Sequence, residues 1–430
     1  MFDCKTPRLA NRYQMKIEKM IHSPSIERIL RPISYISWLM GVGVARPRKC
    51  PKTVTIILRI LHLVVCSINI AYGPLIFFFY NKVANIFNNI FTYMYFITWV
   101  ISYVSAYYYI YQGIKHYNKW PKLMERIKKL DQKIRMEIPM NDQPVKNAVV
   151  LAILAIFAFC SLLIIVYVMH EVYIEEALRT MSKDELILLF GNRSLTDLKN
   201  HSEIAELSIL YMLAQSMINS FIFAVVVYVL YYRLQTINKL ITQLNLFSDA
   251  SWVALKIRRI RELHNSIRII IIMINDIHGF HLLLCTVNCL ILVLTVLLRI
   301  YIGLVQDHKC FTWILANIIW ILYVTQFYVI CWTCTLVHDE FQKTGTFIYD
   351  FILNSKNLDG DSVRNEITDF SNQLQQHRVV LFTTSNFFEI NNFLFIYYIG
   401  AIITHLVILI QFYKENRSYG LSPSQVCHLF

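Results

Sequence analysis

The sequence predicts an all-α membrane protein with seven transmembrane helices, a cytoplasmic amino terminus, an extracellular carboxyl terminus and long cytoplasmic helical extensions. Three observations predict it. Hydrophobic residues fill 56% of the 430 positions and charged residues only 16%, with a mean hydropathy of +0.46, too few charges to clothe a soluble exterior. Separate apolar stretches are each long enough to cross about 30 Å of hydrocarbon, which takes roughly 20 helical residues. The lysines and arginines between them fall mostly on alternate segments.

Residues 1–53 form a basic inner segment broken by Pro7, Pro24, Pro32, Pro47 and Pro51. Its best apolar run, Ile33–Ala45, has no small-residue cleavage pattern, so the first span reads as an uncleaved anchor. The seven stretches are Val54–Tyr80, Ile86–Tyr111, Val149–Met169, Leu207–Tyr232, Phe280–Val305, Phe311–Val337 and Phe393–Tyr413. Residues 54–337 therefore hold six spans, 338–392 an inner loop with helices, 393–413 the seventh span and 414–430 an outer tail.

Thr236–Asn275 reads as one long helix running into the fifth span. Arg258, Arg259, Arg261 and Arg268 share it with Leu255, Ile257, Ile260, Leu263 and Ile267 at near-helical spacing. Those arginines meet anionic lipid heads or dock on neighbouring inner helices, and the two roles are compatible. In His338–Phe388 the turn "NSKNLDGDS" (Asn354–Ser362) separates two helical stretches that can pack beneath the membrane.

Orientation follows from charge. Of 41 lysines and arginines, 31 lie in Met1–Thr53, Gln112–Asn147, Arg233–Ile269 and His338–Ile390, which places these segments inside. The outer loop between the third and fourth spans carries "NRS" at Asn192 and "NHS" at Asn200, two glycosylation acceptors; a third, at Asn416, lies close to the membrane. An internal amino terminus is the reverse of a G-protein-coupled receptor, and neither Asp-Arg-Tyr after the third span nor Asn-Pro-x-x-Tyr in the seventh is present.

No catalytic constellation, cofactor motif or Gly-rich phosphate loop stands out, so no enzyme is expected. "HGFH" puts His278 and His281 on one helix face, where packing and hydrogen bonding account for them better than a metal lacking a third ligand. "CWTC" (Cys331, Cys334) reads as small residues at a helix contact. Of ten cysteines only Cys310 and Cys427 are clearly placed outside. The formal charge of +13 follows from topology and implies no nucleic acid.

The carboxyl-terminal third resembles the insect gustatory receptor family, whose signature is Thr-Tyr, five apolar residues, then Gln-Phe. Here the stretch is Thr404, His405, "LVILI", Gln411, Phe412. Upstream, "FSNQLQQHRVVLFTTSNFFEINNFL" (Phe370–Leu394) and "LHNSIRIIIIMINDIHGFHLLL" (Leu263–Leu284, with Asn275 and Gly279) are similar to the family's pattern, as is "LRPISYISWLMGVGV" (Leu30–Val44). His405 stands where the pattern has Tyr, Asn386 where a small residue is common, and Leu406 where sugar-receptor members carry Glu.

The resemblance implies a ligand-gated, non-selective cation channel in the plasma membrane, built as a homotetramer or as a heteromer with other gustatory receptors. Its ligand would be a small-molecule tastant, bitter compound or sugar, and the seventh helix would line the pore. Thr404, Ile408 and Gln411 fall on one helix stripe, and His405, Leu409 and Phe412 on the next. Four copies would set a ring of amides beside a ring of phenyls, the first hydrating an ion, the second gating by dewetting. In a monomer, Gln411 would instead cap or cross-bond a helix. A ligand from outside would meet Tyr95 and Trp99, Gln215 and Asn219, Arg299 and Tyr301, or Trp313, Asn317 and Trp320, aromatic and amide pairs at helical spacing, although Trp and Tyr also collect at membrane interfaces. The alternative is a polytopic transporter or scaffold, monomeric or dimeric, for which Gly73-Pro74, Arg59 and His62 are the features at hand.

Overall fold

The computed structural model describes residues 26–43, 45, 50–67, 90–180, 195–244, 249–305, 312–354, 361–376, 382–385 and 387–418. Asn192, Cys310, Cys427, Gly73, Pro74 and Asn386 lie outside them, as do the side chains of Tyr95, Arg299, Trp313, Asn317 and Asn416.

Ten helices carry the described chain: α1 (Ile26–Leu39), α2 (52–67), α3 (Ile90–Lys115), α4 (Lys119–Glu137), α5 (Gln143–Thr180), α6 (Leu195–Thr242), α7 (Ala250–Val305), α8 (Thr312–Asn354), α9 (Asp361–Gln376) and α10 (Asn392–Ser418). The described parts of the seven apolar stretches fall on seven separate helices, α2, α3, α5, α6, α7, α8 and α10, while 68–80, 86–89 and 311 lie outside the described residues. Among the described residues, α5 to α8 and α10 are long and apolar enough to cross a membrane.

At the centre stands α6, with 89% of its most apolar stretch buried. The helix packing most extensively on it is α8, while α3, α5 and α7 cover its other sides. Outward, α5 presents Val150, Leu151, Leu154, Phe157, Ile164 and Ile165, an exposed apolar face suited to lipid and not to water.

Three boundaries differ from the sequence expectation. Thr236–Asn275 is not one helix: α6 ends at Thr242, and α7 starts afresh at Ala250. The new start has a cause, because the Asp249 carboxylate accepts the Ser251 backbone N–H at 3.0 Å and its hydroxyl at 2.9 Å, capping the first turn. Helix α6 begins at Leu195, so Asn200 sits on a helix and not in a loop. Helix α10 runs on to Ser418, taking in the start of the expected tail.

Helices α4 and α9 pack on the start of α7, and here Arg259 and Arg261 of α7 dock on protein. Arg259 Nη1 lies 2.7 Å from Glu137, and Arg261 reaches Glu366 at 3.0 Å and Asp369 at 2.7 Å on α9. Arg233 of α6 is fully buried. It donates twice to Asp131 of α4, at 2.7 and 3.1 Å, and once to Asp142 before α5, at 2.9 Å, while Arg135 also pairs with Asp142. Such a cluster is held by its own hydrogen bonds, since a buried charge left unpaired is costly.

A second buried lock holds the chain reversal after α1. Arg59 Nη2 donates to the Gly43 carbonyl at 2.9 Å, and the His62 ring faces the carbonyls of Leu39 (3.1 Å) and Leu58 (2.6 Å). Tyr211 and Gln215 of α6 both donate to the Met40 carbonyl, at 3.0 and 2.8 Å. Glycine is needed at Gly41, where φ is +72° and a Cβ would come within 2.2 Å of His62 Cδ2. Arg59 and His62 therefore serve a backbone turn, which removes the charge features that a transporter reading drew on.

Candidate functional site

Helix α10 is set up by a tight reversal at 382–391. Phe382 and Ile390 are joined through the Ile390 N–H (3.0 Å), Thr384 and Phe388 through the Thr384 N–H (3.0 Å), and Ser385 takes φ +49°. The reversal presses on α7 where a Cβ at Gly279 would lie 3.1 Å from the Ser385 nitrogen, so only a small residue fits the contact. Asn391 Oδ1 then caps α10 by accepting the Leu394 N–H at 2.9 Å, and the Asn392 N–H bonds the Thr335 hydroxyl of α8, also at 2.9 Å.

From there α10 is the least covered of the five apolar helices, with 11% of its most apolar stretch buried. Tyr398 and Ile402 point into the protein. Thr404, His405, Ile408, Gln411 and Phe412 are all exposed, on the adjoining stripes that their spacing predicts. Two of these bond to their own helix: the Thr404 hydroxyl donates to the Gly400 carbonyl at 2.9 Å, and His405 Nδ1 lies 2.8 Å from the Ala401 carbonyl. Aliphatic side chains such as Ile402 and several aromatic rings join α10 to the bundle. The Tyr398 ring stands 4.6 Å from Phe327, Phe395 stands 5.2 Å from Tyr328, and near the far end Tyr301 meets Tyr413 at 6.5 Å edge-on.

Beneath α10 lies a polar interior that sequence reasoning missed. The Tyr109 hydroxyl lies 2.7 Å from His281 Nδ1, the Ser220 hydroxyl 3.2 Å from His281 Nε2, and Gln326 donates to Ser220 at 2.6 Å. Four helices, α3, α6, α7 and α8, thus share one network. "HGFH" divides accordingly: His281 is the hydrogen-bonding hub, and His278 packs 5.5 Å from the Phe223 ring. The Cys331 and Cys334 thiols are free and buried in the core. Around the network the Gln326 Oε1, Tyr323 hydroxyl and Asn288 Oδ1 are buried without a hydrogen-bond partner. A buried polar atom left unpaired costs about 1–3 kcal/mol, which favours any small molecule bringing a complementary group. The available signal was the set of polar residues inside apolar spans. Their convergence was not visible, because Tyr109 and His281 are 172 residues apart.

Among the described residues, the expected ligand contacts have different surroundings. Trp99 packs with Tyr103, rings 5.4 Å apart, in a small cluster with Cys66 and Met212. The Gln215 amide N–H donates to Met40 while its Oε1 stays buried without a partner, and Asn219 Oδ1 would stand 3.0 Å from a Cβ at Gly43, so both face the reversal after α1. Tyr301 touches α10 through Tyr413, and Trp320 packs half-buried on the main core.

A model of the 7tm chemosensory receptor family matches residues 30–416. Among solved structures the fold is similar to the insect olfactory receptor OR5 from Machilis hrabei, with a TM-score of 0.60 and 14% identity over 89% of this chain and 97% of that one. The same receptor in complex with eugenol gives 0.58 and 15% over the same shares. No curated protein sequence gives a significant match.

Proposed function

The chain belongs to the 7tm chemosensory receptor family, and on that premise we propose that it is a gustatory receptor, one subunit of a tetrameric, ligand-gated, non-selective cation channel in the plasma membrane. In this reading the amino terminus is inside, seven helices cross, and α10 from each subunit lines a central pore. The observation that carries it is the exposed face of α10. A helix this poorly covered, yet bearing an exposed amide at Gln411 beside Phe412, is better suited to a shared axis than to hydrocarbon, where an unpaired amide is penalised. The likeness to OR5 supports the fold alone. The taste assignment rests on the Thr404 to Phe412 pattern.

The ligand is a small organic tastant, and eugenol on OR5 is a precedent for an aromatic one. Its site is the interior between α3, α6, α7 and α8, where Gln326 and Tyr323 offer unpaired polar atoms among aromatic walls. Tyr398 connects that interior to α10.

Single-particle imaging of the protein in lipid nanodiscs tests the assembly: fourfold particles are expected, and well-folded monomers that persist with co-expressed receptors would sink it. Gln411→Ala and Phe412→Ala are expected to change conduction or resting leak at unchanged surface expression. Currents identical to the parent would remove the gate from these residues.

A further inference from the structure

At the inner end of the bundle, α4, α6 and α7 border a recess of about 50 Å³ that is partly open to the surface. Its floor is mostly apolar, formed by the buried Leu240 of α6, Leu244 just beyond that helix and Ile260 of α7, with Gln243 also lining it. One wall is the Trp252 indole, with Lys256 Nζ 4.6 Å from the ring centroid. The polar end is made by Lys256 and Arg259, which hold the two oxygens of a single carboxylate, Glu137. Two cations on one anion leave a net positive charge in a recess that is otherwise mostly apolar.

We propose that this recess is a binding site for a small carboxylate with an apolar or aromatic body, which takes over Lys256 and Arg259 by displacing Glu137. The two cations already stand at the separation a carboxylate spans, which favours that anion over others. The floor and the indole accept an apolar body. Glu137 is free to leave, because it is the last residue of α4 and the next, Ile138, is already extended. Once released, its side chain can turn to solvent beside exposed Met136. The site is separate from the interior assigned to the tastant and stands whether or not the chain conducts.

The test uses the full chain in nanodiscs of neutral phosphatidylcholine, with 4-(trifluoromethyl)benzoate as probe, read by ¹⁹F NMR against empty discs. Its primary amide is the uncharged control. The benzoate is expected to bind and the amide not. Lys256→Met is expected to weaken binding about tenfold or more, the loss of one charge-assisted bond. Glu137→Gln, by weakening the internal competitor, is expected to tighten it. Opposite signs from two neighbouring substitutions separate ligand exchange from structural damage, which would weaken both. Absence of benzoate binding, equal binding of the amide, or parallel losses in the two variants would each overturn the proposal.

Discussion

Tyr398 makes the shortest of the described ring contacts between α10 and the bundle, and replacing it separates ring from hydroxyl. In Tyr398→Ala the stack on Phe327, at 4.6 Å, is lost together with the packing around it. In lipid the transfer component of a core truncation largely falls away, because tails are as apolar as the interior. What remains is dispersion and aromatic contact, about 1–2 kcal/mol. With roughly 1.4 kcal/mol per factor of ten, the docked state of α10 loses about tenfold in population against the undocked one. In Tyr398→Phe the ring stays and only the hydroxyl's contact with the Cys289 thiol, a weak hydrogen-bonding partner, is lost, so the change is about 0.5 kcal/mol. Whole-cell recording of resting current, normalised to surface-biotinylated protein, reads both. The alanine variant is expected to raise the resting current about tenfold, and the phenylalanine variant to match the parent. If both variants behave alike, or if the alanine variant is silent in this assay while folded and at the surface, docking through Phe327 does not hold α10 at rest.

Other expectations concern folding. Arg233→Met leaves Asp131 and Asp142 buried with too little positive charge, and a loss of about 3–5 kcal/mol is expected in thermal or denaturant melts; an unchanged melt would mean that solvent reaches the cluster. Gly41→Ala is expected to cut surface expression, since a Cβ there meets His62 at 2.2 Å, whereas Gly345→Ala, with open space around it, should be neutral or slightly stabilising. Burial alone would raise the Glu137 carboxyl, but bonds from Lys256 and Arg259 outweigh it and hold the pKa below the ordinary 4.5. Its stabilising contribution is therefore complete above about pH 5 and lost as pH falls through the lower folded-state value. The melting difference between the parent and Glu137→Gln should shrink on acidification, and a difference that grows would reverse the assignment.

Periodicity was enough to place the apolar helices, five of which are long and apolar enough to cross a membrane among the described residues, because helix geometry acts on the chain locally. Helix rotation was less legible. Spacing put Gln215 and Asn219 on one face, but nothing local says that this face meets the turn at Met40–Gly43, more than 170 residues away. The break before Ala250 was readable in principle from Asp249 and Ser251, yet the flanking apolar series masked it. On α10 the stripe of Thr404, Ile408 and Gln411 was correctly expected to be continuous, since one helix alone sets it.

The reversal after α1 also imposes an order on synthesis. Its carbonyl at Met40 waits for Tyr211, which follows 171 residues later. At about 5–20 residues per second the ribosome needs roughly ten to thirty seconds to deliver it. Through that interval the newborn chain carries Arg59 in its first apolar helix before α6 can close over the turn. Translation speed between α2 and α6, and any translocon factor that shelters a cation there, therefore bears on the yield of correctly folded protein.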